Sequence, residues 1–313
     1  QYSIHAKITG FENGTKFYLT DTNLDIDIDS ATINNHMLKF SGKLGTSPLS
    51  LWVKTTVGNE FYYFTLLMVG NEKLNVKGDI KDFPFDLKIT GSKTQDMHNK
   101  LVNLTKTGYK QRNKLLAEYF ALTGDSAKSI GKAIWKVIDK IDSVDKLKRM
   151  EFVRQNLNSH EALDALFYLT SDFPRDTVIH FYNSLNASFK NTSYAKRIKT
   201  FLTVGNILEE GDAYSDFSAI DKEGTKHTLS EIKGKYVLLD FSTTFCGPCI
   251  ASVPELKQIS ETLDTNLSIV SFSGDAGKET WLKGLTRDKP QWLSVWDGKG
   301  FYGETIIKYG VSG

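Results

Sequence analysis

Cys246 and Cys249 are the only two cysteines among the 313 residues of the chain, and they lie three positions apart. Two thiols at this spacing can form a disulfide with each other and exchange it with the disulfide of another molecule. A bridge that closes so short a loop restricts the unfolded chain very little, so stabilisation of the fold does not explain the pair. The spacing therefore predicts thiol–disulfide exchange, with the disulfide itself as the redox group and no added cofactor.

A metal centre is the other common use of paired cysteines. Two cysteines cannot supply a four-cysteine zinc site, and no two histidines lie within four residues of each other, which argues against a mixed site. We therefore predict no metal site. The histidines are His5, His36, His98, His160, His180 and His227.

The cysteine pair lies between a predicted strand and a predicted helix. Residues 235–242 (KYVLLDFS) and 267–273 (LSIVSFS) are almost continuously apolar, as in strands that are buried on both faces of a sheet. Residues 248–263 between them have the pattern of a crossover helix. The three segments predict a βαβ unit with parallel strands, and the cysteines lie where its first strand ends.

This position gives each residue of the motif a chemical role. A thiolate at the start of a helix meets unpaired backbone N–H groups and the positive end of the helix dipole, which lower the cysteine pKa from about 8.5. We predict that Cys246 is the nucleophile and that Cys249, one turn later, resolves the mixed disulfide. Gly247 permits a tight turn, and Pro248 suits the first helical position, where an N–H has no partner.

Asp240 is an acidic residue near the end of the first of these apolar strands. Burial raises the pKa of a carboxyl group, so an acid at this place is a candidate base near neutral pH. A hydrogen-bonded structural aspartate is the alternative that the residues leave open.

Residues 240–249 (DFSTTFCGPC), followed by Pro254, Glu255 and Leu256, resemble the strand, active-site turn and proline-kinked helix of the thioredoxin superfamily. Residues 211–313 are similar to TlpA/ResA-type thiol-disulfide oxidoreductases, with an AhpC/TSA or redoxin-type domain. The whole chain resembles exported bacterial proteins that join such a domain to an N-terminal β domain of unknown function. The resemblance implies that Asp240 shuttles a proton to the resolving cysteine, and that the Gly-Pro dipeptide confers a reducing potential.

The chain departs from that family pattern at several positions. Phe245 stands where a Trp usually precedes the first cysteine, which keeps an apolar surface but loses the indole donor. Ile250 and Ser252 replace titratable residues, so the tuning of the dithiol and its partner choice are expected to differ. Residues 309–313 resemble the segment that leads into the cis-proline loop, so we expect the redox domain to be truncated there.

The rest of the chain predicts two further regions. Residues 1–92 contain short segments of alternating hydrophobicity, which predict an antiparallel β-sandwich or barrel. Residues 93–204 have a helical period and predict four or five helices of moderate length, with apolar stripes that include Leu104, Ile130 and Val137. Residues 205–313 form the thioredoxin-like α/β domain, so the expected fold class is multidomain.

Charge and hydropathy exclude two classes of partner. The 39 Lys and Arg residues nearly balance the 37 Asp and Glu residues, so no overall field attracts nucleic acid. The longest nearly apolar run, residues 61–69, has nine residues, whereas a membrane-spanning helix needs about 20. Because residue 1 is Gln, we expect a mature or trimmed form of the protein. The resemblance implies that this protein is exported, and we expect a lipid anchor on a removed N-terminal segment.

The sequence thus predicts a reductase or isomerase of protein disulfides in the cell envelope or periplasm. Its expected partners are protein disulfides and a membrane thiol that donates electrons, and a homodimer is a further expectation. One alternative is a thiol peroxidase, because Thr243-x-x-Cys246 matches half of the peroxiredoxin signature, although Leu239 stands where that signature has Pro. The other is a binding protein whose N-terminal regions recruit a partner.

Overall fold

The computed structural model describes two compact units. They comprise Gln1–Thr22 with Asp27–Lys196, and Asn23–Ile26 with Arg197–Gly313. The described residues are 1–22, 24, 26–45, 47–57, 61–122, 127–262 and 266–311. Leu263, where the predicted crossover helix ends, and the last two residues of the predicted C-terminal segment, 312 and 313, lie outside them.

The first unit begins with a β-sandwich, which confirms the expected β-rich domain, but the sandwich is not wholly antiparallel because β1 pairs with β7 in parallel. Its two four-stranded sheets have the strand orders β4-β1-β7-β8 and β3-β2-β5-β6. Alternate residues of β1 (Tyr2, Ile4, Ala6 and Ile8) are at most 3% exposed and join one apolar core with residues of both sheets. The strands are β1 (Tyr2–Thr9), β2 (Lys16–Asp21), β3 (Ile26–Thr32), β4 (Met37–Gly42), β5 (Leu49–Val57), β6 (Phe61–Val69), β7 (Lys73–Asp79) and β8 (Lys88–Thr90).

Helices follow the sandwich, as predicted, but two of them are longer than expected. The first two have 28 and 30 residues, and six helices lie within the described part of this region. Ser92 begins the first by accepting a hydrogen bond from the Gln95 N–H at 3.2 Å. The helices are α1 (Lys93–Phe120), α2 (Ala127–Asn156), α3 (His160–Tyr168), α4 (Arg175–Ser184), α5 (Ala187–Lys190) and α6 (Ser193–Val204).

The predicted apolar stripes of α1 and α2 are wrong in part. Leu104, Ile130 and Val137 are more than 40% exposed. The buried face of α1 includes polar residues instead, among them His98, whose Nδ1 lies 3.1 Å from Glu161 Oε2. A hydrophobicity pattern cannot identify such a face, because its polar members are buried through partners that are distant in sequence.

The second unit contains one five-stranded sheet in the order β10-β9-β13-β12-β11. Strands β11, β12 and β13 are parallel, and Val270, Phe272 and Val295 are buried in its apolar core. The parallel β11–α7–β12 arrangement confirms the predicted βαβ unit. The elements are β9 (Ser218–Ile220), β10 (Lys226–Thr228), β11 (Tyr236–Ser242), α7 (Gly247–Thr262), β12 (Leu267–Ser273), α8 (Lys278–Asp288), β13 (Leu293–Trp296) and α9 (Glu304–Lys308).

The expectation that the first strand of this unit is buried on both faces is wrong. Tyr236, Val237 and Leu238 of β11 are 60%, 37% and 36% exposed. Strand β11 lies at the edge of the sheet and, within the described residues, pairs with β12 alone. By contrast β12, which lies between β11 and β13, has five buried residues. Position in the sheet, and not hydrophobicity alone, therefore decides which of the two strands is covered.

None of the helices in the described residues is long and apolar enough to cross a membrane.

Candidate active site

Cys246 and Cys249 form a disulfide, with their Cα atoms 5.2 Å apart. Strand β11 ends at Ser242, and a short turn leads to Cys246, whose N–H donates to the Thr243 carbonyl oxygen at 3.2 Å. Both cysteines are half-buried. The disulfide therefore lies at the carboxyl end of a parallel strand, where ligands and reactive groups of open α/β sheets are usually found.

Cys246 occupies the N-cap position of α7. Its carbonyl oxygen accepts the first helical hydrogen bond, from the Ile250 N–H at 2.9 Å, and its Sγ accepts one from the Cys249 N–H at 3.2 Å. A cap side chain normally presents an oxygen to an N–H that has no helical partner, and here the sulfur takes that place. The arrangement stabilises negative charge on this sulfur when the disulfide is reduced.

Asp240 lies on β11 and is half-buried, so the expectation of a buried acid is only partly met. Its Oδ2 accepts a hydrogen bond from the Ser271 hydroxyl at 2.8 Å, and Ser271 Oγ accepts one from Trp292 Nε1 at 2.8 Å. Because β11 is an edge strand, its residues are covered less than those of β12. A three-residue chain of hydrogen bonds therefore orients the carboxylate.

A small cavity connects this carboxylate with the disulfide. Asp240 and Cys249 both line it, together with Ser271, Asp275 and Trp292. Its volume of about 40 Å³ is enough for a few water molecules. Asp240 and Cys249 therefore face one shared cavity.

The other predicted site residues surround the disulfide in different ways. Phe245 is 69% exposed next to Cys246. Helix α7 begins at Gly247, so Pro248 is its second residue and not its first as predicted. Pro254 lies inside the helix, at the predicted kink position.

Sequence reasoning missed several polar residues that support the site. Asp275 follows the end of β12 by two residues and accepts hydrogen bonds from Thr244. Ser271 donates to Asp240 and accepts from Trp292. A polar residue just past a buried parallel strand is a signal that was available, because the carboxyl ends of parallel strands share one edge of the sheet.

A larger cavity, of about 640 Å³, lies elsewhere in the second unit. Its lining includes Asp216, Phe217, Lys226 and Asp297, but none of the predicted site residues. We assign the candidate site to the smaller cavity, because Cys249 of the disulfide lines it. The described residues include no group of three or more His, Cys, Asp or Glu side chains that could hold a metal ion.

Family models match two segments of the chain. Residues 2–97 match a domain of unknown function, DUF4369, and residues 211–290 match the AhpC/TSA family. The first segment covers the sandwich, and the second covers β9 to α8 with the disulfide.

Curated relatives are similar to parts of the chain. The thioredoxin-like protein YneN of Bacillus subtilis is 34% identical over 66 residues, which are 21% of this chain and 39% of that protein. The thiol-disulfide oxidoreductase ResA of Bacillus thuringiensis is 29% identical over 112 residues, 36% of this chain and 63% of that protein. In both cases the chain spans less than two thirds of the relative's length.

Solved structures are similar over a comparable share. The thioredoxin domain of a thiol-disulfide oxidoreductase from Bacteroides vulgatus is 31% identical, with a TM-score of 0.32, over 34% of this chain and 76% of that one. A putative thiol:disulfide interchange protein DsbE from Chlorobium tepidum is 32% identical, with a TM-score of 0.31, over 34% and 73%. The chain thus contains a segment that matches DUF4369, followed by a thioredoxin-like segment that matches the AhpC/TSA family, and thiol-disulfide oxidoreductases are among its relatives.

Proposed function

We propose that the protein reduces or isomerises disulfides of other proteins. The observation that carries the proposal is the position of Cys246, whose sulfur accepts the Cys249 N–H at the start of α7 and is joined to Cys249 by a disulfide. A sulfur that a helix N-terminus stabilises as a thiolate is both a good nucleophile and a good leaving group. The relatives named thiol-disulfide oxidoreductases support the same chemistry.

In the reduced protein, the Cys246 thiolate attacks one sulfur of a client disulfide. A bond forms between Cys246 Sγ and that sulfur, and the second client sulfur leaves as a thiolate. The half-exposed position of the cysteine and the exposed ring of Phe245 leave room for a client segment beside it.

Cys249 then resolves the mixed disulfide. Its thiol loses a proton to Asp240 through the water of the shared cavity, and the resulting thiolate attacks Cys246 Sγ. The client leaves with both sulfurs reduced, and the protein retains the Cys246–Cys249 disulfide. Two electrons pass to the client, so a dithiol donor must reduce the protein before the next cycle.

The cell envelope is the proposed site of action, with a membrane thiol as the electron donor. The resemblance of the whole chain to exported bacterial proteins supports this location. Disulfides of client proteins persist in such a compartment, so a reductase there requires a supply of electrons. We also propose a homodimer.

The test is reduction of insulin disulfides by this chain with dithiothreitol as the donor. We expect turnover by the parent and none by Cys246→Ser. Reduced Cys249→Ser, mixed with insulin after dithiothreitol has been removed, should form a stable mixed disulfide with the client. The proposal is wrong if the parent shows no turnover and Cys249→Ser traps no mixed disulfide.

A peroxide assay separates the alternative chemistry. A thiol peroxidase would consume hydrogen peroxide rapidly and carry Cys246 through a sulfenic acid. We expect slow consumption, because Leu239 stands where the peroxiredoxin signature has Pro. Fast peroxide turnover with no insulin reduction would favour the peroxidase.

A further inference from the structure

Thr244, two residues before the proposed nucleophile, is held by a single acidic side chain. It is 6% exposed, its N–H donates to Asp275 Oδ1 at 3.1 Å, and its Oγ1 lies 2.9 Å from Asp275 Oδ2. Hydrogen bonds to an ionised acceptor are shorter and stronger than those between neutral groups. Asp275 therefore holds both the backbone and the side chain of the residue that enters the active-site turn.

Asp275 is itself immobilised. It is 8% exposed, its Oδ2 accepts the Ser273 hydroxyl at 2.9 Å, and its N–H donates to Ser273 Oγ at 3.1 Å. Its backbone carbonyl oxygen accepts a hydrogen bond from Trp296 Nε1 at 2.6 Å. The carboxylate is thus a fixed point at the carboxyl end of β12.

Helix α8 holds the remaining polar groups of Thr244. The Thr244 carbonyl oxygen accepts a hydrogen bond from Arg287 Nη1 at 2.6 Å. The same guanidinium also donates two hydrogen bonds to the Asp288 carboxylate. The single hydroxyl proton is shared between Asp275 and the Thr280 carbonyl oxygen, 2.8 Å away. At Gly284 the helix approaches so closely that an added Cβ would lie 2.6 Å from Thr244 Oγ1.

We propose that Asp275 and Thr244 are positioning residues for the dithiol. They fix the turn between β11 and α7, so that Cys246 stays at the N-cap position where its sulfur accepts the Cys249 N–H. Reactive groups act efficiently when supporting residues hold them in place before the reaction begins. The inference rests on the proposed function for its purpose, but the geometry of the turn can be tested without a client protein.

The test measures how fast iodoacetamide alkylates Cys246 as a function of pH, in the full chain with Cys249→Ser so that one thiol reacts. Thr244→Val keeps the shape of the side chain and removes its hydroxyl. We expect it to slow alkylation at pH 7 about fivefold and to shift the profile to higher pH, because a looser turn weakens the N–H contact to the thiolate. Thr244→Ser restores the hydroxyl and should restore the profile.

The chain offers a matched control at Ser230. Its N–H and hydroxyl both donate to Asp216, at 2.9 and 2.6 Å, in the same unit but away from the turn. Ser230→Ala should leave the alkylation profile of Cys246 unchanged, even if it lowers the unfolding temperature. An equal shift in this control would overturn the proposal, since it would show a general effect of lost stability.

A second variant covers the case in which Thr244→Val does not fold. Arg287→Lys keeps the charge but cannot bridge the Thr244 carbonyl oxygen and Asp288 in the same way. We expect a smaller shift in the same direction. The proposal is wrong if Cys246 is alkylated in every folded variant of Thr244 and Arg287 with the same rate and pH profile as in the parent. That result would not bear on whether the parent reduces insulin. Conversely, failure of the parent to reduce insulin would contradict the proposed function without changing the alkylation result.

Discussion

The Ser271 hydroxyl donates a hydrogen bond to Asp240 Oδ2 at 2.8 Å, across the β11–β12 pair. Ser271 is buried and is held in turn by the indole of Trp292. The contact turns Asp240 into an oriented acceptor on the wall of the cavity that also contains Cys249. Resolution of the mixed disulfide should therefore depend on this carboxylate.

Asp240→Asn tests that dependence, since it keeps the shape of the side chain but cannot take up the proton. We expect the mixed disulfide between Cys246 and a client to persist about tenfold longer at pH 7. Quenched samples separated by non-reducing electrophoresis give its lifetime. Asp216→Asn, in the same unit but outside the cavity that contains Cys249, is the control, and equal lifetimes for Asp240→Asn and the parent would rule out the proton transfer.

Phe245 is expected to bind clients and not to take part in the exchange. Its ring is 69% exposed beside Cys246, so a client can cover it. Phe245→Ala should raise the KM for insulin about fivefold, with little change in kcat and in the rate of reduction of oxidised glutathione. Phe120→Ala removes another exposed ring, 77% accessible, and should change none of these values. An equal loss with insulin and glutathione would contradict a binding role.

Gly108 is expected to be required where α1 crosses α2. A Cβ at this position would lie 2.6 Å from Asp145 Cγ, and Asp145 is itself 8% exposed. Gly108→Ala should lower the free energy of unfolding by about 1–3 kcal/mol, even though alanine is the better helix former. Urea denaturation measures the change. Thr107→Ala, at the adjacent exposed position, is the control, and a gain in stability for Gly108→Ala would show that the helices can move apart.

His160 should make the first unit sensitive to acid. Burial lowers the pKa of its imidazole from the ordinary value of 6.5, and its Nδ1 has no hydrogen-bond partner within the described residues. The unfolded chain therefore takes up a proton below about pH 6.5 before the folded chain does, and stability falls as the pH decreases.

His160→Phe keeps an aromatic ring near Phe189, whose centroid is 5.0 Å away, and removes the titrating group. The unfolding temperature of this variant should fall less than that of the parent between pH 7 and pH 5. His180→Phe, at an exposed position, should show the same fall in unfolding temperature between pH 7 and pH 5 as the parent. If the unfolding temperatures of the parent and His160→Phe change equally between pH 7 and pH 5, His160 is not the cause of the acid sensitivity.

Several elements could be predicted because their signal is local. The alternation of β1 and the apolar run of residues 267–273 depend on neighbouring residues, and the structure places strands there. Hydrophobicity marks β3 less clearly, since Ile26 is 47% exposed and charged residues separate the apolar ones. The predicted apolar stripes of α1 and α2 are wrong in part for a different reason. Polar partners from α3 and from within the helix pair cover part of the buried face.

The site shows the same division. The sequence predicts the Cys-Gly-Pro-Cys spacing and its place between a strand and a helix, because a disulfide over three positions and the start of a helix both depend on neighbouring residues. Asp275 and Ser271 were not predicted, since each lies 31 residues away in sequence from its partner, Thr244 or Asp240, and meets it only through the pairing of β11 with β12.

The sequence by itself determined the dithiol, its order along the chain and the acid six residues before it, because covalent spacing and helix geometry need no distant contacts. Only the tertiary structure decided which polar groups surround that dithiol and how far β11 is covered. Those properties depend on strand order and on the packing of α8 against the active-site turn, which bring together groups that no pattern in neighbouring residues connects.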